Sequence, residues 1–122
     1  MSTTPVVLKF GGTSVGSPER FNRVIDIVHQ KAARHRVVVV ASALSGVTDQ
    51  LVEAADAAPT SSAEREELVR TLRRRHVHHA LDTIGDAEAL RVSDGIHPHL
   101  ERLEKHLIGR YLDPESRLHR DG

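Results

Sequence analysis

The sequence predicts an α/β fold, and its first half carries the signs. The run PVVLKF at 5–10 is rich in β-branched residues and stops at a glycine pair, as a strand does. A second run, VVVVAS at 37–42, is apolar without alternation, which is the pattern of a strand covered on both faces. Each run is followed by a loop of glycine and hydroxyl residues and then by a helical pattern. A right-handed crossover makes two such strands parallel and neighbours in one sheet. Both loops then open at the same carboxyl edge, where open α/β folds bind ligands.

The first helix is well marked. Ser17 suits the cap, Pro18 the first helical position, and Glu19 the positive end of the dipole. Phe21, Val24, Ile25 and Val28 follow at i, i+3, i+4 and i+7 and form one face intended for burial. The polar stretch HQKAARHR ends that helix. After the second strand, ALSGVTDQL repeats the design, with Thr48 or Asp49 as the cap and Leu51, Val52 and Ala55 behind it.

The second half reads as helices. APTSSAERE is a turn-rich connection, and Ser62 is placed to cap a helix beginning AEREELVRTLRRRH. Within it Glu66 and Arg70 stand at i, i+4 with the acid first, the favourable order. GDAEALRVSDG reads as a short helical piece ended by glycine, and a last helix begins near Pro98 with Leu100, Leu103, Leu107 and Tyr111 on one face.

Composition narrows the function classes. The 122 residues suit one domain with a modest core. Seventeen basic and seventeen acidic residues cancel, so no net field favours nucleic acid or an anionic membrane. Two Phe, one Tyr and no Trp leave little for stacking on bases. The absence of cysteine excludes a disulfide framework, a thiolate metal site and a cysteine nucleophile. No stretch approaches the roughly 20 apolar residues of a membrane span, and MSTTPVVLKF lacks the regions of a signal peptide. The expectation is a soluble, cytoplasmic chain.

The loop KFGGTS at 9–14 has the parts of an anion site, although neither G-x-x-x-x-G-K-[ST] nor G-x-G-x-x-G is present. Gly11 and Gly12 let the backbone take positive φ and approach a ligand closely. Successive amides can form an anion-binding concavity. Thr13 and Ser14 add hydroxyl donors, and Lys9 at the strand's end is a point charge within reach of a phosphate. Phosphoryl transfer asks the protein mainly to position groups and neutralise charge. A plain turn with a solvated lysine accounts for the same residues. In the second loop, Ser42, Ser45 and Thr48 around Gly46 suit a small carboxylate or amino acid, or simply cap the next helix.

Beyond these physical readings, LKFGGTSVGSPERFNRV and VVVVASALSGVTDQL resemble the opening segments of the aspartate kinases, within the amino-acid kinase family. The resemblance covers residues 5–52, and K-F-G-G-T-S-V is close to a signature of that family. It implies an amino-acid-kinase-like parallel sheet flanked by helices. On this reading residues 1–122 are the N-terminal portion of such a domain, with two strand-loop-helix units over 1–58 and a mainly helical segment over 59–122. It also implies transfer of the γ-phosphoryl of ATP to the side-chain carboxylate of L-aspartate, with Mg²⁺ bridging the phosphates. The product opens the route to lysine, threonine and methionine. By resemblance Lys9 stabilises the transferred group, Gly11, Gly12, Thr13 and Ser14 line the ATP phosphates, and Ser42 and Thr48 lie at the aspartate site.

The family's later motifs are not found before Gly122: a glutamate-bearing substrate loop, an R-G-G-S-D-like motif and a nucleotide-binding segment. The chain is therefore expected to be catalytically incomplete by itself. The alternatives are a non-catalytic module and a kinase for another carboxylate of the same family. ATP and L-aspartate are the expected small-molecule partners. A second copy of the chain, or the remainder of a kinase polypeptide, is the expected protein partner. An incomplete sheet would also expose an edge and apolar faces, favouring self-association.

Nine histidines invite a metal reading, with His76, His78 and His79 in one group and His97 and His99 in another. Zinc needs three or four convergent ligands, and helix faces and caps explain these residues adequately, so no metal site is assigned. The basic run RTLRRRHVHH at 70–79 follows the acidic EREE and has no interleaved aromatics, which marks a solvated helix face.

Overall fold

The computed structural model describes residues 2–57 and 61–112. The elements run β1 (Ser2–Phe10), α1 (Gly12–Val15), α2 (Pro18–Ala32), β2 (His35–Ala41), α3 (Val47–Ala57), α4 (Ser62–Thr83) and α5 (Asp86–Leu112). By its internal contacts the chain divides into one unit over 1–48 and another over 49–122.

In the first unit β1 and β2 pair in parallel, with Val6 opposite Val37, Leu8 opposite Val39 and Phe10 opposite Ala41. The fold is mixed α/β with a small two-stranded parallel sheet, as expected. Paired residues of parallel strands share a face. One face therefore carries Leu8, Phe10, Val39 and Ala41, and the other carries Val7, Lys9, Val38 and Val40. The helix α2 covers the first. Its Phe21, Val24 and Val28 meet Phe10, Val39 and Ala41 around an apolar cleft of about 520 Å³. Its start follows expectation, since the Ser17 hydroxyl accepts from the Arg20 amide at 3.3 Å and Pro18 takes the first turn.

The second strand is not covered on both faces. Val38, Val39 and Val40 are 49, 45 and 44 % exposed, and Val7 on β1 is 62 % exposed. Within this unit only α2 lies on the sheet, so the face opposite it has no cover, and even Val39 borders the open cleft. The apolar run is composed for a more deeply buried strand than this unit provides. Along α2, Val24 is buried while Ile25 remains 41 % exposed, so the intended apolar face is partly filled.

The second unit is built on an antiparallel pair, α4 and α5, joined through Ile84 and Gly85. Gly85 has φ of +90°, a conformation glycine tolerates best, and its amide donates to the Ala80 carbonyl at 3.2 Å. The cap of α4 is Ser61 rather than Ser62, and its hydroxyl accepts from the Glu64 amide at 3.1 Å. That register sets Glu64 three residues after the cap, the S-x-x-E pattern that favours a helix start. Arg70 pairs with Glu67 at 2.6 Å, not with Glu66.

Two helices were expected where α5 is one. Gly95 does not end it, and Pro98 lies inside it. Proline there removes one ladder hydrogen bond, but Ala89, Val92, Ile96, Leu100, Leu103 and Leu107 keep an unbroken apolar stripe across the position. Ala89, Leu100 and Leu107 are buried, as are Leu72 and Ala80 of α4. Continuous packing outweighs the local breakers. The 58/59 boundary, the chain end ESRLHRDG and the side chain of Tyr111 lie outside what the structure describes.

Candidate functional site

The candidate site forms where the two glycine–hydroxyl loops leave β1 and β2. Lys9 stands next to last in β1, exposed, in register with Val40 and on the face away from α2. Gly11 follows with φ −81° and ψ 175° and serves as the cap position of α1. Its carbonyl accepts from the amides of Ser14 at 3.0 Å and Val15 at 3.3 Å. No side chain caps this turn. The leading amides of Gly12 and Thr13 thus have no intrahelical acceptor. Thr13 is exposed and Ser14 half-buried, while Val15 anchors the turn from below at 4 % exposure.

Sequence reasoning gave the first glycine pair a positive φ, and the structure corrects it. Among the described residues the positive-φ glycines are Gly46, at 84°, and Gly85. At Gly12 the requirement is space. A Cβ there would stand 3.1 Å from the Ala43 carbonyl oxygen and 3.4 Å from the Ser42 hydroxyl oxygen. At Gly16 it would stand 2.6 Å from the Gly12 carbonyl oxygen and 3.1 Å from the Ser45 Cβ. Gly11 differs from both: nothing lies within 4 Å of an added Cβ.

The second loop is thereby packed directly on the first. The Ser42 amide donates to the Phe10 carbonyl at 3.1 Å, extending the strand pairing by one bond past Ala41. The Ser42 hydroxyl donates to the Ala43 carbonyl at 2.7 Å, which leaves its oxygen lone pairs to accept. The Val47 amide donates to the Leu44 carbonyl at 3.0 Å, turning the loop into α3 through Gly46. Neither Thr48 nor Asp49 caps that helix, because it starts at Val47, whose side chain is 5 % exposed and anchors the turn. Thr48 lies exposed in the first turn.

The structure therefore brings Gly12, Ser42 and Ser45 together, with Lys9 in the strand leading in and Thr48 in the helix leading out. Gly16 was missed from the sequence. Its signal was the four-residue spacing from Gly12, which sets two residues without side chains on one side of a single helical turn, where Ser45 fits.

A family model described as the Amino acid kinase family matches residues 4–115, nearly the whole chain. The chain belongs to the amino acid kinase family. Within that family it is similar to the Aspartokinase of Chlamydia trachomatis serovar D, 35 % identical over 103 residues, which are 84 % of this chain and 22 % of the relative. It is similar to the Aspartate kinase of Pseudomonas fluorescens, 46 % identical over 68 residues, 55 % of this chain and 16 % of the relative. It also matches Aspartokinase 2 of Bacillus subtilis at 44 % identity over 62 residues, half of this chain and 15 % of the relative. The chain thus spans roughly a tenth to a fifth of the length of the curated relatives it matches. It is an aspartokinase-like part of an amino acid kinase.

Two of the grouped histidines have other engagements. His76 Nδ1–H donates to the Leu72 carbonyl at 2.7 Å, back along its own helix. His97 sits between Arg73, 2.8 Å from its Nδ1, and Glu101, 3.0 Å from its Nε2. Among the described residues no group of three or more His, Asp or Glu side chains is placed to hold a metal ion. No helix among them is long and apolar enough to cross a membrane.

Proposed function

We propose that this chain supplies the phosphate loop and part of the acceptor loop of an aspartate kinase, which transfers the γ-phosphoryl of ATP to the side-chain carboxylate of L-aspartate and yields 4-phospho-L-aspartate. The observation that carries the reading is the direct packing of the two loops, in which Gly12 admits the backbone of Ala43 and the side chain of Ser42. Donor and acceptor of a phosphoryl group must lie in line within a few ångströms. Two loops in contact at one sheet edge meet that demand.

In this reading the amides of Gly11 to Ser14 and the hydroxyls of Thr13 and Ser14 hold the phosphates, and Lys9 neutralises charge that builds on the transferred group. Ser42 accepts from the substrate ammonium through its free lone pairs, and Thr48 donates to a carboxylate. Mg²⁺ would arrive with the nucleotide, held by its phosphates, and would neutralise part of their charge. The bond formed joins the aspartate carboxylate oxygen to γ-phosphorus, and the bond broken releases ADP. Since the aligned stretches amount to 22 % or less of the relatives, the remaining site groups come from other parts of a kinase polypeptide.

A graft tests this directly. The matched 68-residue stretch of the Pseudomonas fluorescens enzyme is replaced by its counterpart from this chain. The chimera is expected to release ADP in an aspartate-dependent manner and to lose that activity on Lys9→Ala. A folded chimera that is inactive, or one that prefers another carboxylate such as glutamate, would contradict the reading.

A further inference from the structure

A second cationic feature adjoins the first loop and is not explained by the fold. The early turns of α2 bring Arg20 and Arg23 to a cleft of about 280 Å³, which they line with Phe10, Ser14, Val24 and Ile27. Ser14 belongs to the first glycine loop, so the cleft opens directly beside it. Among the described residues no carboxylate lines it.

Helix physics gives no reason for these arginines. Arg20, in the first turn of α2, faces the positive end of the dipole, where a cation is disfavoured by a few tenths of a kcal/mol, and Arg23 lies one turn further on. Glu19 precedes Arg23 by four residues, the spacing and order of a stabilising ion pair. Yet among the described residues neither Arg20 nor Arg23 is joined to a carboxylate. Both are exposed. The surrounding unit has the same imbalance: residues 1–48 hold six Lys and Arg against two acids, Glu19 and Asp26, although the whole chain is neutral. Positive charge is thus gathered, unpaired, at the rim of a cleft too small for a whole nucleotide, with Ser14 as its other polar group and Phe10, Val24 and Ile27 as its apolar wall. Planar guanidinium groups bind phosphate oxygens in bidentate fashion, which a lysine point charge cannot do.

We propose that Arg20 and Arg23 form a second wall for a polyphosphate chain held on the first glycine loop and select a triphosphate over a monophosphate. The proposal rests on the nucleotide reading of that loop. The amides and hydroxyls of the loop take one end of the chain of phosphates, and the two guanidinium groups, beside Ser14, take the next.

The test titrates the full chain with inorganic tripolyphosphate, ATP and AMP by calorimetry. The variants are Arg20→Gln with Arg23→Gln, and separately Lys9→Ala. The double variant is expected to keep its helix content and melting temperature, because neither side chain has a partner to lose. It is expected to bind tripolyphosphate and ATP at least about tenfold more weakly, given the usual strength of charge-assisted hydrogen bonds, and to bind AMP with little change. Unchanged tripolyphosphate affinity in a folded double variant would overturn the proposal while Lys9→Ala could still support the loop reading. Loss in the arginine variant with none in Lys9→Ala would leave the arginine wall standing and remove Lys9 from the phosphate site. A wild-type chain that binds no tripolyphosphate, or binds AMP as tightly, would overturn the proposal. Tighter binding of ATP than of tripolyphosphate would identify a nucleotide rather than free polyphosphate as the ligand.

Discussion

Gly12 and Ala43 approach so closely that a methyl group on Gly12 would stand 3.1 Å from the Ala43 carbonyl oxygen. That contact joins two loops about thirty residues apart in the chain and makes one site of them. Its partner contact is between Gly16 and Ser45, where an added Cβ would lie 3.1 Å from the serine Cβ and 2.6 Å from the Gly12 carbonyl oxygen. Gly16→Ala is therefore expected to lower stability by about 1–3 kcal/mol, the usual range for overpacking. Gly12→Ala should cost less, because its neighbours need give only a few tenths of an ångström. Denaturant melts of the two variants check both the sign and the order.

Gly11 provides the contrast. Its φ of −81° is ordinary for any residue, and nothing lies within 4 Å of an added Cβ. Gly11→Ala is expected to fold with a melting temperature within a degree or two of the parent (~0.5 kcal/mol or less). If a phosphate approaches this backbone, the same variant will bind ATP about tenfold or more weakly. A variant that both folds and binds normally would remove Gly11 from the phosphate site.

The helical pair turns on Gly85. With φ at +90°, any L side chain there is strained whatever room surrounds it. Gly85→Ala should destabilise by about 1–2 kcal/mol, whereas Gly95→Ala, within α5 and in open space, should stabilise by up to about 1 kcal/mol. Thermal melts that failed to separate these two would contradict the assigned turn.

Arg73 and His97 tie α4 to α5. The guanidinium is always a donor, so Nδ1 of His97 accepts and the ring proton sits on Nε2, facing Glu101. Arg73 also donates to the Ser93 carbonyl at 3.4 Å. Arg73 is half-buried and His97 and Glu101 are exposed, so Arg73→Met is expected to cost about 1 kcal/mol. Proton–nitrogen couplings in the imidazole ring would report the tautomer; a proton on Nδ1 would exclude the described hydrogen bond.

Much of the first unit was legible because its signals are local. The Ser17–Pro18–Glu19 start and the glycine stop after Phe10 depend on neighbours in sequence. The shared edge followed from the handedness of the crossover. What stayed hidden depended on distant partners. The need for glycine at 12 arises from the backbone of 43, and at 16 from the Gly12 carbonyl together with the side chain of 45. The continuity of α5 through Pro98 arises from packing on Leu72 and Ala80. The bare valine face was hidden for a related reason: VVVV describes a strand to be buried, while Val38 and Val40 have no cover within their unit.

That face carries a consequence for solution behaviour. Exposed valines on an open sheet favour self-association. The purified chain is expected to elute well above its 13.5 kDa mass, and Val38→Lys with Val40→Lys should shift it toward the monomer. A compact monomer from the unmodified chain would count against this.

The most direct measurement is a titration of the isotope-labelled chain with Mg²⁺–ATP, followed by amide chemical shifts. The account predicts the largest shifts at Gly11, Gly12, Thr13 and Ser14, with Ser42 to Gly46 moving in step because Gly12 packs on that loop. Shifts confined to other regions, or none at saturating nucleotide, would contradict a phosphate site at the joined loops.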